Sequence, residues 1–293
     1  MEKKRESFRK RIKEERIIVA PGVYDSFTAK LAEHVGFEAL YVTGAGVAAS
    51  LLGAPDIGLV TMTEQLEQTR RIASATDLPI ICDADTGYGN ALNVIRTVRE
   101  FEKAGVCAIH LEDQLMPKKC GHLEGKKLVS TAEMVNKLKA ALDTRTDGNF
   151  LIIARTDSRA ILGLQDAIDR GLKYAETGAD MIFIEAPESI DELARIGNSF
   201  RQVPLLVNRG GGGKTPPLSA SNLQAMGYRV VIFPGDIQKA AGKAALKVLN
   251  TLKDRGNVDT LQDMMLSFDQ RFQILGIEDF RKLELLYSEE GAE

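Results

Sequence analysis

The chain has 293 residues, 44% hydrophobic and 27% charged, with a formal net charge of −3. These proportions belong to a globular protein able to bury a large core, and they exclude a fibrous or disordered chain. Basic residues are not massed on any segment, which argues against a nucleic-acid partner, and no apolar run approaches membrane-spanning length, so no membrane partner is expected. Cys82, Cys107 and Cys120 follow neither a zinc spacing nor a disulfide framework. Without an apolar leader at the N-terminus, they point to a reducing cytoplasm.

The opening MEKKRESFRKRIKEER alternates acids and bases and reads as a solvated helix. Short apolar runs then recur at residues 17–20, 39–43, 79–83, 106–112, 150–154, 181–185, 204–208 and 230–233. Each suits a strand apolar on both faces, as parallel strands covered by other layers are. Helical periodicity fills the intervals, at 63–76, 91–103, 131–142, 164–177 and 191–200. Glycine ends the preceding helix at Gly36, Gly105, Gly178 and Gly227, directly before a strand. Eight such runs predict an α/β fold, a single (β/α)₈ barrel domain over 1–293. Helical segments at 237–252, 260–268 and 277–288 exceed what one barrel turn requires.

The polar residues gather where the runs end. Tyr41, Thr43 and Gly44 close the second run, Asp83 and Asp85 the third, and His110, Glu112 and Asp113 the fourth. Arg155 and Asp157 follow the fifth, Glu185 the sixth, Asn208 and Arg209 the seventh, and Asp236 the eighth. In a parallel barrel this places one charged rim at the C-terminal ends of the strands, where barrel active sites lie.

Asp83 and Asp85 are two residues apart, so an extended chain would put both carboxylates on one side. With Glu112 from the next run they form an all-oxygen donor set that suits Mg²⁺, with Mn²⁺ as an alternative, rather than zinc. Cys120 lies in a polar loop between Lys118, Lys119 and His122, where cations are expected to lower its pKa and fit it for acid–base or nucleophilic work. Cys82 and Cys107, inside apolar runs, read as small buried hydrophobes, and His34 reads as a helix-surface residue. Arg155 is placed for a two-pronged grip on a carboxylate. Thr43-Gly44-Ala45-Gly46 offers a hydroxyl and backbone N–H groups for a second one.

The stretches PGVYDSFTAKLAEHVGFEALYVTGAGVAAS, GAPDIG, DADTGYGN, HLEDQLMPKKCGHLEGK and IIARTDS resemble the isocitrate lyase/phosphoenolpyruvate mutase superfamily. Within it, the likeness is to the short members, such as 2-methylisocitrate lyase, 2,3-dimethylmalate lyase, oxaloacetate acetylhydrolase and carboxyphosphonoenolpyruvate mutase. The resemblance implies a barrel with Mg²⁺ beneath a mobile loop that carries the cysteine. It implies a homotetramer in which the C-terminal extension, 237–293, packs on a neighbouring subunit. By matching motif, Asp83, Asp85 and Glu112, with Asp56 nearby, look like the metal site. Tyr41, Thr43, Gly44, Ala45 and Asn208 look like substrate-binding groups, and Cys120, Arg155, His122 and Glu185 like catalytic ones.

The implied activity is magnesium-dependent carbon–carbon cleavage of a 2-hydroxy di- or tricarboxylate to an oxo acid such as pyruvate plus a second carboxylate. A carboxyphosphonoenolpyruvate-type phosphonomutase, an oxaloacetate hydrolase or decarboxylase, and a dicarboxylate sensor without turnover are the alternatives. The loop cysteine favours the lyase over a phosphonopyruvate-type mutase. The sequence departs from its relatives at Gly211, where a Glu is expected, and at Asp236, where an oxaloacetate hydrolase would carry Ser. Arg209 is expected to add a cation to the site and favour a more anionic substrate.

Overall fold

The computed structural model describes residues 1–288, so residues 289–293 of the expected C-terminal extension lie outside it. Eight strands run in chain order: β1 (Ile18–Val23), β2 (Leu40–Val42), β3 (Ile80–Asp83), β4 (Ala108–Glu112), β5 (Leu151–Thr156), β6 (Met181–Ile184), β7 (Leu205–Asn208) and β8 (Tyr228–Phe233). All neighbours pair in parallel, and β8 returns to β1 with Ile18 opposite Val230, closing the barrel.

Around the barrel stand α1 (Glu2–Arg11), α2 (Ser26–Val35), α3 (Gly44–Val47), α4 (Met62–Ala75), α5 (Ala91–Lys103), α6 (Thr131–Thr144) and α7 (Arg159–Leu162). They continue with α8 (Leu164–Glu176), α9 (Ile190–Ser199), α10 (Ala220–Ala225), α11 (Asp236–Arg255), α12 (Phe268–Ile274) and α13 (Ile277–Leu286). The segment expected as one helix at 260–268 is instead a 3₁₀ turn, Asp259–Met264, followed by α12, which starts at a new cap on Ser267. Among the described residues no helix is long and apolar enough to cross a membrane.

Side chains alternate along each strand and so divide the buried residues into two cores. On β5, Leu151 and Ile153 point into the barrel with Ile18, Ile81, Met181, Leu206 and Val230. Ile152 and Ala154 point outward into the layer shared with the helices. That is why each strand reads as apolar throughout. The four junction glycines take φ of +91° (Gly36), +94° (Gly105), +106° (Gly178) and +98° (Gly227), the left-handed region that lets a helix stop in one residue.

The first helix is not a solvated one. Phe8 and Ile12 are buried with the inward-facing strand residues and plug the N-terminal end of the barrel. Arg5 is buried as well, its Nε donating to the Val106 carbonyl at 2.9 Å and its guanidinium lying 5.2 Å from the Phe150 ring centre. Charges spaced among three apolar or amphipathic positions hid this face. Phe8→Ala is expected to cost about 3–5 kcal/mol, the usual loss for a buried phenylalanine. Urea unfolding reads it, and a loss below about 1 kcal/mol would mean that α1 does not seal the barrel.

Candidate active site

Strand ends and βα loops bring the predicted residues to one small cavity of about 50 Å³ at the C-terminal mouth of the barrel. Tyr41, Thr43, Ala45, Asp56, Asp83, Cys120, His122, Arg155, Glu185 and Asn208 all line it. Gly44 stands just behind, packed so closely that a Cβ there would lie 2.7 Å from Asp83 Oδ2. Asp85 and Glu112 lie beneath, buried among the acids. A wider groove of about 560 Å³ opens at the opposite end of the barrel beside Arg9 and Arg229 and holds none of these groups.

The acids meet, but differently from the expectation. Asp85 takes φ +47°, so it is not a continuation of an extended strand, and its N–H turns back to donate to Asp83 Oδ1 at 3.0 Å. The cation among the acids is the ammonium of Lys118, 2.5 Å from Asp56 Oδ1 and 2.6 Å from Asp85 Oδ1. Lys118 is only 3% exposed. Among the described residues no three Asp, Glu, His or Cys side chains are set around one point as the chain stands.

The donor set nevertheless fits a hard divalent ion by kind. Glu112 is fully buried with Arg155 Nη1 3.3 Å from its Oε2 as its nearby cation and no hydrogen bond of good geometry, and Asp85 Oδ1 meets only the Lys118 ammonium. Burial pushes Glu112 well above the ordinary carboxylate range and Asp85 up to about 6, the latter against the pull of Lys118. Burial would raise Asp83 too, but Lys118, Arg155 and the Asp85 amide outweigh it and hold that carboxylate low. Acids still raised by burial despite Lys118 and Arg155 are short of positive charge, and their donors are all oxygen rather than the nitrogen or sulfur that zinc favours.

Arg155 ends β5 in a rigid setting. Its Nε donates to Asp157 Oδ2 at 2.9 Å and its Nη2 to Asp157 Oδ1 at 3.3 Å, while Nη1 lies 3.3 Å from Glu112. The guanidinium stacks 5.1 Å from the Phe183 ring centre. Asp157 in turn faces the buried Lys126, 3.3 Å away, whose ammonium also donates to the Gly121 carbonyl. Glu185 keeps one oxygen, Oε2, without a donor; its other oxygen accepts from Asn208 Nδ2 at 3.2 Å and lies 3.6 Å from His122 Nε2.

Thr43 caps α3, its Oγ1 accepting from the Gly46 amide at 3.3 Å, so the expected turn is a one-turn helix start, with Thr43 and Ala45 at the cavity. Tyr41 hydrogen-bonds His110 Nε2 at 2.9 Å, and His34 stays on the exposed face of α2.

Cys120 reverses its expectation. Burial raises its pKa, because the two lysines that were to lower it point elsewhere. Lys118 is spent on Asp56 and Asp85, and Lys119 Nζ donates to the Glu124 carbonyl at 3.3 Å. The thiol therefore keeps its proton. Cys82, pushed up to about 12 by burial, and Cys107 are the buried hydrophobes they were read as.

The loop carrying Cys120 is folded onto the site. Its Cys120 amide donates to the Asp56 carbonyl at 3.0 Å, and Gln114 brackets Lys119 through the N–H at 3.0 Å and the carbonyl at 2.8 Å. Lys126 and Phe183 were not singled out from sequence, Asp157 was placed only on the rim, and Lys118 was expected beside Cys120 rather than among the acids. Only the Arg155–Asp157 spacing, alternate residues on one strand side, gave a usable signal.

A family model described as phosphoenolpyruvate phosphomutase matches residues 8–253. The chain is 47% identical over 273 residues to 2,3-dimethylmalate lyase from Eubacterium barkeri, covering 93% of this chain and 94% of that one. It is 42% identical over 285 residues to 2-methylisocitrate lyase from Aeropyrum pernix, covering 97% of this chain and 91% of that one. The solved structure of oxaloacetate acetylhydrolase with 3,3-difluorooxalacetate superposes with a TM-score of 0.92 at 35% identity, covering 97% of this chain and 96% of that one. The chain belongs to the isocitrate lyase/phosphoenolpyruvate mutase superfamily.

This superfamily member departs from the expected pattern near Arg209, which adds no cation to the cavity. Its Nε donates to the Leu218 carbonyl at 3.3 Å and its guanidinium lies 5.8 Å from the Phe233 ring centre, turned away from the mouth.

His110 gives a pH signature. Burial lowers its imidazole from an ordinary 6.5 to about 4. The unfolded chain therefore binds a proton that the folded chain refuses, so the stability is complete above about pH 6.5 and is lost as pH falls toward 4. The loss amounts to about 3 kcal/mol at most. Urea unfolding at pH 7.5 and 4.5 is expected to show a smaller drop in His110→Gln than in the wild type; equal drops would remove His110 as the source.

Proposed function

We propose that this protein is a magnesium-dependent carbon–carbon lyase. Its substrate is a 2-hydroxy dicarboxylate of the 2,3-dimethylmalate type, or 2-methylisocitrate, which it splits into an oxo acid such as pyruvate and a second carboxylate. The observation that carries this reading is the half-buried Cys120 thiol, its pKa raised by burial, lining the same small cavity as the rigid Arg155 guanidinium. Similarity to 2,3-dimethylmalate lyase and 2-methylisocitrate lyase over nearly the whole chain supports it. Asp236 in place of the serine expected of an oxaloacetate hydrolase counts against that activity, and Cys120 counts against a phosphonopyruvate-type mutase.

Asp83, Asp85 and Glu112, with Asp56, would hold Mg²⁺, directly or through water; Mn²⁺ suits the same donors. When bound, the ion supplies positive charge beside the oxygens of the forming oxo acid. Entry of the ion requires the Lys118 ammonium to withdraw from Asp56 and Asp85. Arg155 grips the oxo-acid carboxylate, and the α3 start at Thr43, Gly44 and Ala45 receives the other. Glu185, through its free Oε2, takes the hydroxyl proton. The carbon–carbon bond then breaks, its electron pair passing into the enolate of the departing carboxylate, and Cys120 delivers its proton to that carbon. His122 and Asn208 hold Glu185 in place.

A cavity of about 50 Å³ admits little more than one water at about 30 Å³, so substrate enters only when the Cys120 loop lifts. Its return keeps water from the carbanion. We further place the enzyme in a reducing cytoplasm, where its three free cysteines stay reduced.

The C-terminal extension is proposed to pack on a neighbouring subunit of a homotetramer. Leu246, Leu249, Phe268, Phe280, Leu283 and Tyr287 are apolar or aromatic groups left more than half exposed on α11–α13 and the residue beyond, more than a lone chain keeps in water.

Incubation with Mg²⁺ and 2,3-dimethylmalate or 2-methylisocitrate is expected to release pyruvate, to stop with EDTA and to resume with Mg²⁺ or Mn²⁺. Cys120→Ser is expected to lower kcat by about 10²–10⁴, the range for a lost proton-transfer group. Because the thiol acts as the acid, kcat should hold into alkaline pH and fall only above the ordinary thiol value of ~8.5. Absence of pyruvate from both substrates, or full activity in Cys120→Ser, would sink the proposal. Light scattering should report four copies, and Phe280→Asp with Leu283→Asp a smaller species; a wild-type monomer would exclude the assembly.

A further inference from the structure

The loop after β7 is held from an unexpected side. The first turn of α11 grips a single residue, Gly211, by both its backbone N–H and its carbonyl. Asp236 accepts from the Gly211 N–H with both carboxylate oxygens, at 3.0 and 3.2 Å. Lys239, one turn further along α11, donates to the Gly211 carbonyl at 2.5 Å. Asp236 suits the position, since an acid at a helix N-terminus is favoured by the helix dipole.

The grip leaves no room for a side chain at 211. A Cβ there would lie 2.6 Å from Asp236 Oδ1. The two departures noted in the sequence are therefore one feature: the Asp236 carboxylate fills the space into which a residue 211 side chain would project.

The held loop reaches the site. Gly210 N–H donates to Asn208 Oδ1 at 3.0 Å, and the turn closes with Gly213 N–H on the Gly210 carbonyl at 3.2 Å. Gly213 packs flat on the imidazole of His122, where a Cβ would come within 2.8 Å of Cε1, and Lys214 N–H faces His122 Nδ1 at 3.4 Å. Neither Asp236 nor Lys239 lines the cavity.

We propose that Asp236 and Lys239 are positioning residues that set substrate capture through this loop. They clamp the backbone of Gly211 on both sides, which seats residues 210–214 against His122 and completes the wall facing the variable half of the substrate. The inference rests on the lyase reading for its substrates. The clamp makes no direct contact with Arg155, Cys120 or Glu185, and Asn208 still holds Glu185 when the loop loosens, so its loss weakens binding of the ground state and transition state alike and appears in KM more than in kcat. It also loosens the wall, so discrimination between the smaller dialkylmalate and the larger alkylated tricarboxylate relaxes.

The test is steady-state kinetics of the full-length enzyme on 2,3-dimethylmalate and 2-methylisocitrate. Asp236→Ala is expected to raise KM for the better substrate about tenfold with kcat within about threefold, and to narrow the ratio of kcat/KM between the two. Asp236→Asn, whose amide oxygen still accepts from Gly211, should stay within about threefold of wild type. Gly211→Ala should match Asp236→Ala, and the double variant should be no worse than either, the non-additivity of two changes to one contact. An unchanged KM in Asp236→Ala, an equal loss in Asp236→Asn, or additive losses would overturn the proposal. If wild type cleaves neither substrate, the lyase reading fails on its own. The clamp is then read by amide exchange of residues 209–214, expected to be about tenfold faster in Asp236→Ala than in wild type and near wild type in Asp236→Asn. Equal exchange in wild type and Asp236→Ala overturns the clamp.

Discussion

One buried ammonium organises the mouth of this barrel. Lys118 reaches from the loop after β4 to Asp56, from the loop after β2, and Asp85, from the end of β3. A charge removed from water is tolerated only when partners surround it. Here the partners are acids that would otherwise repel one another, so the lysine and the carboxylates justify each other's burial. The same contact folds the Cys120 loop down, because the Asp56 residue that holds Lys118 by its side chain also accepts the Cys120 amide through its carbonyl. The charge balance of the acids and the position of the loop are thus linked through one lysine.

The thiol's character follows from where the loop lies. Three cations near Cys120 in sequence suggest a thiolate, yet the side chains of Lys118 and Lys119 are committed away from it and Asp56 and Glu185 stand closer. Burial then decides, and it favours the neutral thiol. A proton donor to an enolate needs that state, whereas a nucleophile would need the other. Arg155, by contrast, is charged throughout. Asp157 and Phe183 fix its plane, so the guanidinium is held rigidly at the mouth with little side-chain entropy left to lose.

The far wall of the site depends on the junction of β8 and α11 rather than on the loop's own side chains. A run of glycines has none to anchor it, and Asp236 and Lys239 supply the anchorage from outside. Since α11 leads into the exposed apolar helices of the C-terminal extension, the wall and the proposed subunit contact share one rigid element.

Much of this was present in the order of residues. Strands apolar on both faces, glycine stops before them and polar groups at their ends specify a parallel barrel and its active end, because burial and backbone geometry act locally and repeat eight times. That the acids, Arg155 and Cys120 gather at that end was legible for the same reason. The sequence could not say that Phe8 and Ile12 plug the barrel, that Asp85 turns left-handed, that Lys118 sits among the acids, or that Arg209 faces away. Those are questions of where a flexible side chain or loop points once distant segments meet. Burial and competing charges decided them, and both exist only in the folded chain.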